Sequence, residues 1–366
     1  MAAAANLILP IRVCLKRIVS GLSLFLNPLN EVPVNFLLLT RYLWNIYARR
    51  KNLLVLVREG GIGDMACLLA SVPDLRDRHP NPWLVVITPR GCRELVASSM
   101  LPDAVAEANS FFHRLIERSC DRSAYYQPYL PDEYKPPRSQ MLHLIHEFAR
   151  ELGVRPNPNF VQFRATDRVR RGLQQQLRDI NRDGRPVIVL HPGPTWPVRE
   201  WPHQRWRELA ELIRARTSAI MIKIGTDIDS MRRPRPIAPI PYTIDWTNKL
   251  TVIETVALLE QATAFVGIDS GPLHLAGVLG TPSVGLFGPI SGQRRIFPRS
   301  RTTIVTGDVD CLGCHHRSTG PLHWKTGCPY DIACMRNIAA KGVLSALLDL
   351  CSSERFGMMT GKSVSC

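Results

Sequence analysis

The chain has 366 residues, about twice the ~150 residues of a typical domain, so two domains are expected. With 45% hydrophobic and 21% charged residues it has the balance of a soluble globular protein and not of a disordered one. The net charge of +15 calls for an anionic partner, whether nucleic acid, a membrane surface or a phosphorylated substrate. The arginines are spread along the chain and make no basic-aromatic cluster, which argues against nucleic acid.

Residues 1–51 read as a basic extension. They are apolar and carry seven basic side chains, Arg12, Lys16, Arg17, Arg41, Arg49, Arg50 and Lys51, against the single acid Glu31. No run reaches the ~20 apolar residues of a spanning helix. The run Ile18 to Leu26 has no clean small-x-small cleavage site after it. Two amphipathic helices are expected, lying on the protein or on an anionic membrane.

Asn52 to Arg58 (NLLVLVR) reads as a fully buried strand of a parallel sheet. It runs into Gly60-Gly61-Ile62-Gly63-Asp64 and a helix expected to continue to about Arg78. Trp83 to Thr88 is the next strand and closes a βαβ unit. Asp121 to Pro137, rich in Tyr and Pro, reads as a loop. Met141, Leu144, Ile145, Phe148 and Leu152 form a helical stripe that stops at Gly153. A polar stretch and a basic helix follow, and the domain boundary is placed there, giving domains over 52–165 and 166–350 and a disordered tail over 351–366.

The second half alternates again. Strands are expected at Pro186 to Leu190, Ala219 to Ile224, Tyr242 to Trp246, Ala264 to Ile268 and Ser283 to Phe287. Trp206, Leu209, Leu212 and Ile213 make one helix face, and Thr251 with Glu254 forms a capping box. The fold class is α/β, with two Rossmann-like domains facing across a cleft and ligands at the carboxyl ends of the strands.

Three segments carry chemistry. In the first, Gly61 and Gly63 follow a buried strand and let backbone approach a ligand at a helix start. The dinucleotide fingerprint is incomplete, because Thr88, Pro89 and Arg90 stand where an acid should end the second strand. Asp64 either caps its helix or serves as a general base toward an acceptor hydroxyl. The second segment runs from His191 through Thr195 to Arg199-Glu200-Trp201-Pro202. Its Arg199 suits bidentate binding of a diphosphate. The third, Asp269-Ser270-Gly271-Pro272-Leu273-His274, is strand, tight turn and helix. Ser270 and Gly271 offer amides to a phosphate and His274 adds a donor. Asp269 is expected to orient the turn through backbone amides or to meet a sugar hydroxyl.

Cys311, Cys314, Cys328 and Cys334 are clustered, with His315, His316 and His323 between them; the other six of the ten cysteines are scattered. The four suit a structural zinc or iron, although the second pair is too widely spaced for a zinc ribbon. Buried free thiols and disulfides stand as the other readings. The spacing is unlike that of a small secreted disulfide scaffold, so a reducing compartment is expected.

Gly63-Asp64, Arg199 before Trp201-Pro202, and Asp269-Ser270-Gly271 with His274-Leu275, followed by Gly280-Thr281-Pro282 and Phe287-Gly288-Pro289, resemble glycosyltransferase family 9, the ADP-heptose:lipopolysaccharide heptosyltransferases, over about residues 52–345. Well-known members have Lys where Arg199 stands. The resemblance implies a GT-B fold and an inverting transfer without a catalytic metal or other cofactor. It implies Asp64 as base, Arg199, Ser270, Gly271 and His274 as diphosphate contacts, and Asp227 as a nucleoside contact. Some members carry a C-terminal cysteine finger.

The expected partners are therefore an ADP-sugar donor and an anionic glycolipid acceptor, with an anionic membrane surface met through residues 1–51 and no nucleic acid. The expected location is the cytoplasm, at the inner face of the inner membrane. An epimerase or hydrolase of nucleotide sugars on the same fold, and a non-catalytic sugar-nucleotide binder, are the rival readings.

Overall fold

The computed structural model describes residues 32–128, 142–229, 233–316 and 327–352. The chain packs as two units. One is formed by Met1–Glu59 with Leu75–Pro128, the other by Gly60–Asp74 with Tyr129–Cys366.

In the first unit, α1 (Val32–Leu43) buries Leu38 and Tyr42. The first half of the amphipathic extension, residues 1–31, lies outside the described residues. Strand β1 (Asn52–Val57) is followed by α2 (Ile62–Leu69), which belongs to the second unit, and by α3 (Val72–Asp77). The single helix expected to Arg78 is thus two helices. Pro73 lacks an amide proton and disfavours helical backbone just before it, so the chain breaks at Ala70-Ser71.

Next come β2 (Pro82–Thr88), α4 (Arg93–Ser98), β3 (Ala104–Glu107), α5 (Phe111–Ser119) and β4 (Tyr125–Tyr126). The sheet order is β3-β2-β1-β4, parallel throughout. The segment expected as loop from Asp121 therefore supplies a short strand, with Tyr125 in register with Val55; its part from 129 to 137 lies outside the described residues. The core is built from Val55, Val57, Trp83, Val85 and Ile87 with Phe112 and Ile116.

In the second unit, α6 (Leu144–Leu152) starts less than one turn later than the apolar stripe from Met141 suggested, because His143 caps it through Nδ1, accepting from the Ile145 amide at 3.2 Å. It ends at Gly153 in the left-handed region, φ 65°. The basic helix is α7 (Asp167–Ile180). Then follow β5 (Val187–His191), α8 (His203–Arg216), β6 (Ile220–Lys223), β7 (Thr243–Asp245), α9 (Val252–Gln261), β8 (Ala264–Ile268), α10 (Gly271–Leu279), β9 (Ser283–Phe287), β10 (Thr302–Thr306), α11 (Ala333–Arg336) and α12 (Ala340–Ser352).

The capping box of α9 forms as expected, with Thr251 and Glu254 exchanging hydrogen bonds of 2.8 and 3.2 Å. The parallel sheet has the order β10-β9-β8-β5-β6-β7. The chain adds strands outward from β5 to β7 and then returns to lay β8 on the other side of β5. This reversal makes a topological switch point, and a crevice opens there at the carboxyl ends of the strands. On one face of the sheet, Ile188, Leu190, Val266, Ile268, Val284 and Leu286 pack with Trp206, Leu209 and Ile213 of α8 and Val343 and Leu347 of α12. Among the described residues no helix is long and apolar enough to cross a membrane.

Candidate functional site

The switch point is built from the ends of β5 and β8, where His191 is in register with Gly267. Beyond β8 the chain passes Asp269 and Ser270 and turns into α10. Ser270 occupies the N-cap position in extended backbone, yet its side chain makes no cap hydrogen bond. Its Oγ instead lies 3.0 Å from the Ile268 carbonyl, to which it donates, and 3.0 Å from His191 Nδ1. The positive end of a nine-residue helix is thus left without a side-chain acceptor of its own. Burial pushes the His191 imidazole down to about 4, so it holds Ser270 as a neutral ring.

Asp269 departs from its expected role. Its carboxylate oxygens make no hydrogen bond to backbone amides and are only 2% exposed as a residue. They face Arg199 Nη1 at 3.2 Å and His274 Nε2 at 3.3 Å instead. Burial opposes ionisation of Asp269, but Arg199, His274 and Arg295 outweigh it and hold the carboxyl well below the usual carboxylate range. Asp269 is therefore a buried anchor that fixes two donor side chains beside the helix start. Arg199 also stacks its guanidinium on Trp196, 5.5 Å from the ring centroid.

The loop after β5 is clamped. The Thr195 amide donates to Glu200 Oε1 at 2.9 Å. Arg235 meets both Glu200 oxygens, at 3.0 and 2.7 Å, and donates to the Thr195 carbonyl at 3.2 Å. Gly225, at φ 143°, backs this loop so closely that a Cβ there would lie 2.5 Å from the Gly193 carbonyl oxygen. Asp227, two residues on, is half-buried and receives the Asn248 side-chain amide at 2.7 Å.

The segment carrying Asp64 packs with the same unit. Helix α2 lies against α10 and α6. A Cβ on Gly63 would stand 2.5 Å from His274 Cδ2, and one on Gly271 would stand 3.0 Å from Ile62. Both glycines are therefore set by helix-to-helix contact. Asp64, third residue of α2, accepts the Gly61 amide at 3.0 Å through Oδ2. Of the two roles considered for Asp64, this is the capping one.

The cysteine segment comes close to these groups in space, although nothing in its sequence neighbourhood pointed there. The Gly313 and His315 amides donate to the Gly288 and Pro289 carbonyls, both at 2.9 Å. The His315 ring packs edge-on against Trp196 at 5.7 Å between centroids. Burial, then Arg295 and Arg199, push His315 down to about 4. Burial, then the charges of Cys314, Cys311 and Cys328, push the Cys334 thiol up to about 12, which places the four thiols within reach of one another electrostatically. The described cysteines, these four included, are free thiols and not disulfides. Among the described residues, no three His, Cys, Asp or Glu side chains are grouped to hold a metal ion. His323 lies outside the described residues.

Sequence reasoning singled out Asp64, Arg199 and the turn from Asp269 to His274, and the fold brings all of them into one unit. It placed His191 in the second segment without a role, missed Arg235 and Arg295, and saw His315 only as a metal ligand. Their positions depend on loops from different strands, for which no local pattern exists.

The model of "Glycosyltransferase family 9 (heptosyltransferase)" matches residues 132–324, just over half of the chain. Lipopolysaccharide heptosyltransferase 1 of Pseudomonas aeruginosa is 31% identical over 142 residues, 38% of this chain and 39% of that protein. The chain thus spans about two-fifths of the length of this curated relative. Among solved structures, E. coli ADP-heptose lps heptosyltransferase II superposes with a TM-score of 0.56 at 17% identity, over 83% of this chain and 99% of that one. The iron-containing dodecameric glycosyltransferase TibC of enterotoxigenic E. coli gives 0.61 at 18% identity, over 83% and 77%. TibC has also been solved with ADP-D-β-D-heptose, and that structure matches with the same TM-score of 0.61 at 16% identity, over 83% and 76%. These likenesses establish an α/β chain of the GT-B fold.

Proposed function

Because this chain belongs to glycosyltransferase family 9, we propose that it is an inverting glycosyltransferase moving a heptose, or a related sugar, from an ADP-sugar to a hydroxyl of an envelope glycolipid such as the lipopolysaccharide core. The observation that carries this reading is the start of α10, open to an anion at the switch point, with Asp269 holding Arg199 and His274 beside it. The relatives named for lipopolysaccharide heptose transfer, and TibC with its ADP-heptose, support the choice of donor and acceptor.

Asp64 takes the proton of the acceptor hydroxyl. The hydroxyl oxygen bonds to the anomeric carbon from the face opposite the diphosphate, and the bond from that carbon to the diphosphate oxygen breaks. The charge gathering on the departing ADP is met by the Ser270 and Gly271 amides, Arg199 and His274. Thr195 lines the donor loop, and Asp227 meets the nucleoside. Gly61 and Gly63 act through Asp64 and His274, which they position. No catalytic cofactor is required, since these donors supply the positive charge. Residues 52–165 serve the acceptor and 166–350 the donor.

Cys311, Cys314, Cys328 and Cys334 are soft donors of the type that suits a structural zinc or iron, although their side chains are not gathered into a metal site here. TibC, similar in fold, is iron-containing. The protein works in the cytoplasm at the inner face of the inner membrane, meeting anionic lipid through residues 1–51. Exposed Phe36, Leu37 and Trp44, with Arg41, Arg49 and Arg50 near them, support that contact.

D64N tests the mechanism, because the amide still caps α2 and removes only the base. Transfer should fall by about 10³-fold, as expected for loss of a general base, while ADP still raises the melting temperature. Wild-type transfer by D64N would reject the base. Stabilisation by UDP-sugars and not by ADP-sugars would reject the donor.

A further inference from the structure

Beyond the diphosphate contacts named so far, one more side chain reaches the same place from a distant part of the chain. The cysteine segment leaves β10, and its Gly313 and His315 amides are tied to the carbonyls of Gly288 and Pro289, just past the end of β9. That tie sets His315 against Trp196, with ring centroids 5.7 Å apart. Trp196 carries the Arg199 guanidinium at 5.5 Å from its own ring. One indole therefore serves as the floor for two donor side chains. The charges that act on His315 are those of Arg295, Arg199 and Asp269, the groups gathered at the start of α10.

We propose that His315 is a donor-binding residue: its imidazole, held on Trp196 beside Arg199, donates a hydrogen bond to the diphosphate of the nucleotide sugar. This deepens the reading of the α10 start as a nucleoside-diphosphate site and rests on it. Arg295 adds a second guanidinium to the same anion. The cysteine segment acquires a role in the donor site through this contact, whatever its thiols hold. An imidazole and a guanidinium beside one ring give directional and long-range attraction together, which suits a flexible, doubly charged ligand.

The test is calorimetric binding of ADP to the full-length wild type, H315A, H315Q and R199A, with steady-state KM values for donor and acceptor. H315A should weaken ADP about tenfold, the worth of one hydrogen bond to a charged group, and H315Q should restore part of it. The donor KM should rise with the acceptor KM unchanged, a split that general loosening of the fold would not produce. ADP binding to H315A and H315Q equal to wild type overturns the proposal while leaving the donor site in place. An R199A that also binds ADP like wild type overturns the donor site itself, and His315 with it.

Discussion

Two helices of the second unit start just past a strand, α2 with Gly61 at its N-cap and α10 with Gly271 as its first residue, and they solve the same problem in opposite ways. At the start of α2, Asp64 turns back to accept the Gly61 amide, so the helix supplies its own anion. At the start of α10 the nearest carboxylate, Asp269, is buried and committed to Arg199 and His274, while the Ser270 hydroxyl turns toward Ile268 and His191. The first start repels a phosphate; the second is left open for an anion. A glycine at a helix start is thus an ambiguous signal, and the direction taken by the neighbouring carboxylate resolves it.

The contrast is most exposed in acid, through His191. Its ring is held at about 4 when folded, against 6.5 for the unfolded chain. The unfolded chain therefore binds more protons between these values. The stabilisation is complete above about pH 6.5 and drains away as pH falls toward 4, by about 3 kcal/mol in all. Urea unfolding across that range should show this slope, and H191N, which keeps a polar partner for Ser270 but takes up no proton, should flatten it. An unchanged slope in H191N would remove His191 from the support of α10.

Converting the open start into the closed kind is the next largest effect. S270D would give α10 its own anion and should weaken ADP by on the order of 100-fold without unfolding the helix. ADP binding at wild-type strength would mean that the phosphates sit elsewhere. G63A pushes a methyl group toward His274 and should cost about 2 kcal/mol of stability, as overpacking does, with a higher donor KM. G61A is the mildest change. It replaces a residue in ordinary extended backbone, at φ −78°, and should cost only about 0.5 kcal/mol. Its ADP affinity should match wild type, and a marked loss would put phosphate on the first loop after all.

The strands buried on both faces were legible because continuous apolar runs have no other comfortable place: β1, β2, β8 and β9 fall within a residue of their expected limits. Strand β5 slides by one residue off Pro186, which has no amide to give, and β7 starts after Tyr242, whose backbone is left-handed at φ 62°. Strands β3 and β10 went unseen. One is four residues long and the other is only half-buried, so neither shows the apolar run that betrays a central strand. In the site, the turn from Asp269 to His274 was readable because its chemistry is local. The pairing of Asp269 with Arg199, the hold of His191 on Ser270 and the arrival of His315 at Trp196 span tens of residues each. They exist only once the sheet has brought the strand ends together.

The clamp of Arg235 on Glu200 has a consequence for how a ligand is recognised. The loop carrying Thr195 is fastened at its amide, its carbonyl and both oxygens of Glu200 by groups of the protein itself. If the proposed nucleotide docks there, it meets a preorganised surface and gives up little of its interaction energy to order the chain. Differences in affinity between related ligands should then appear in how long each stays, with similar rates of arrival.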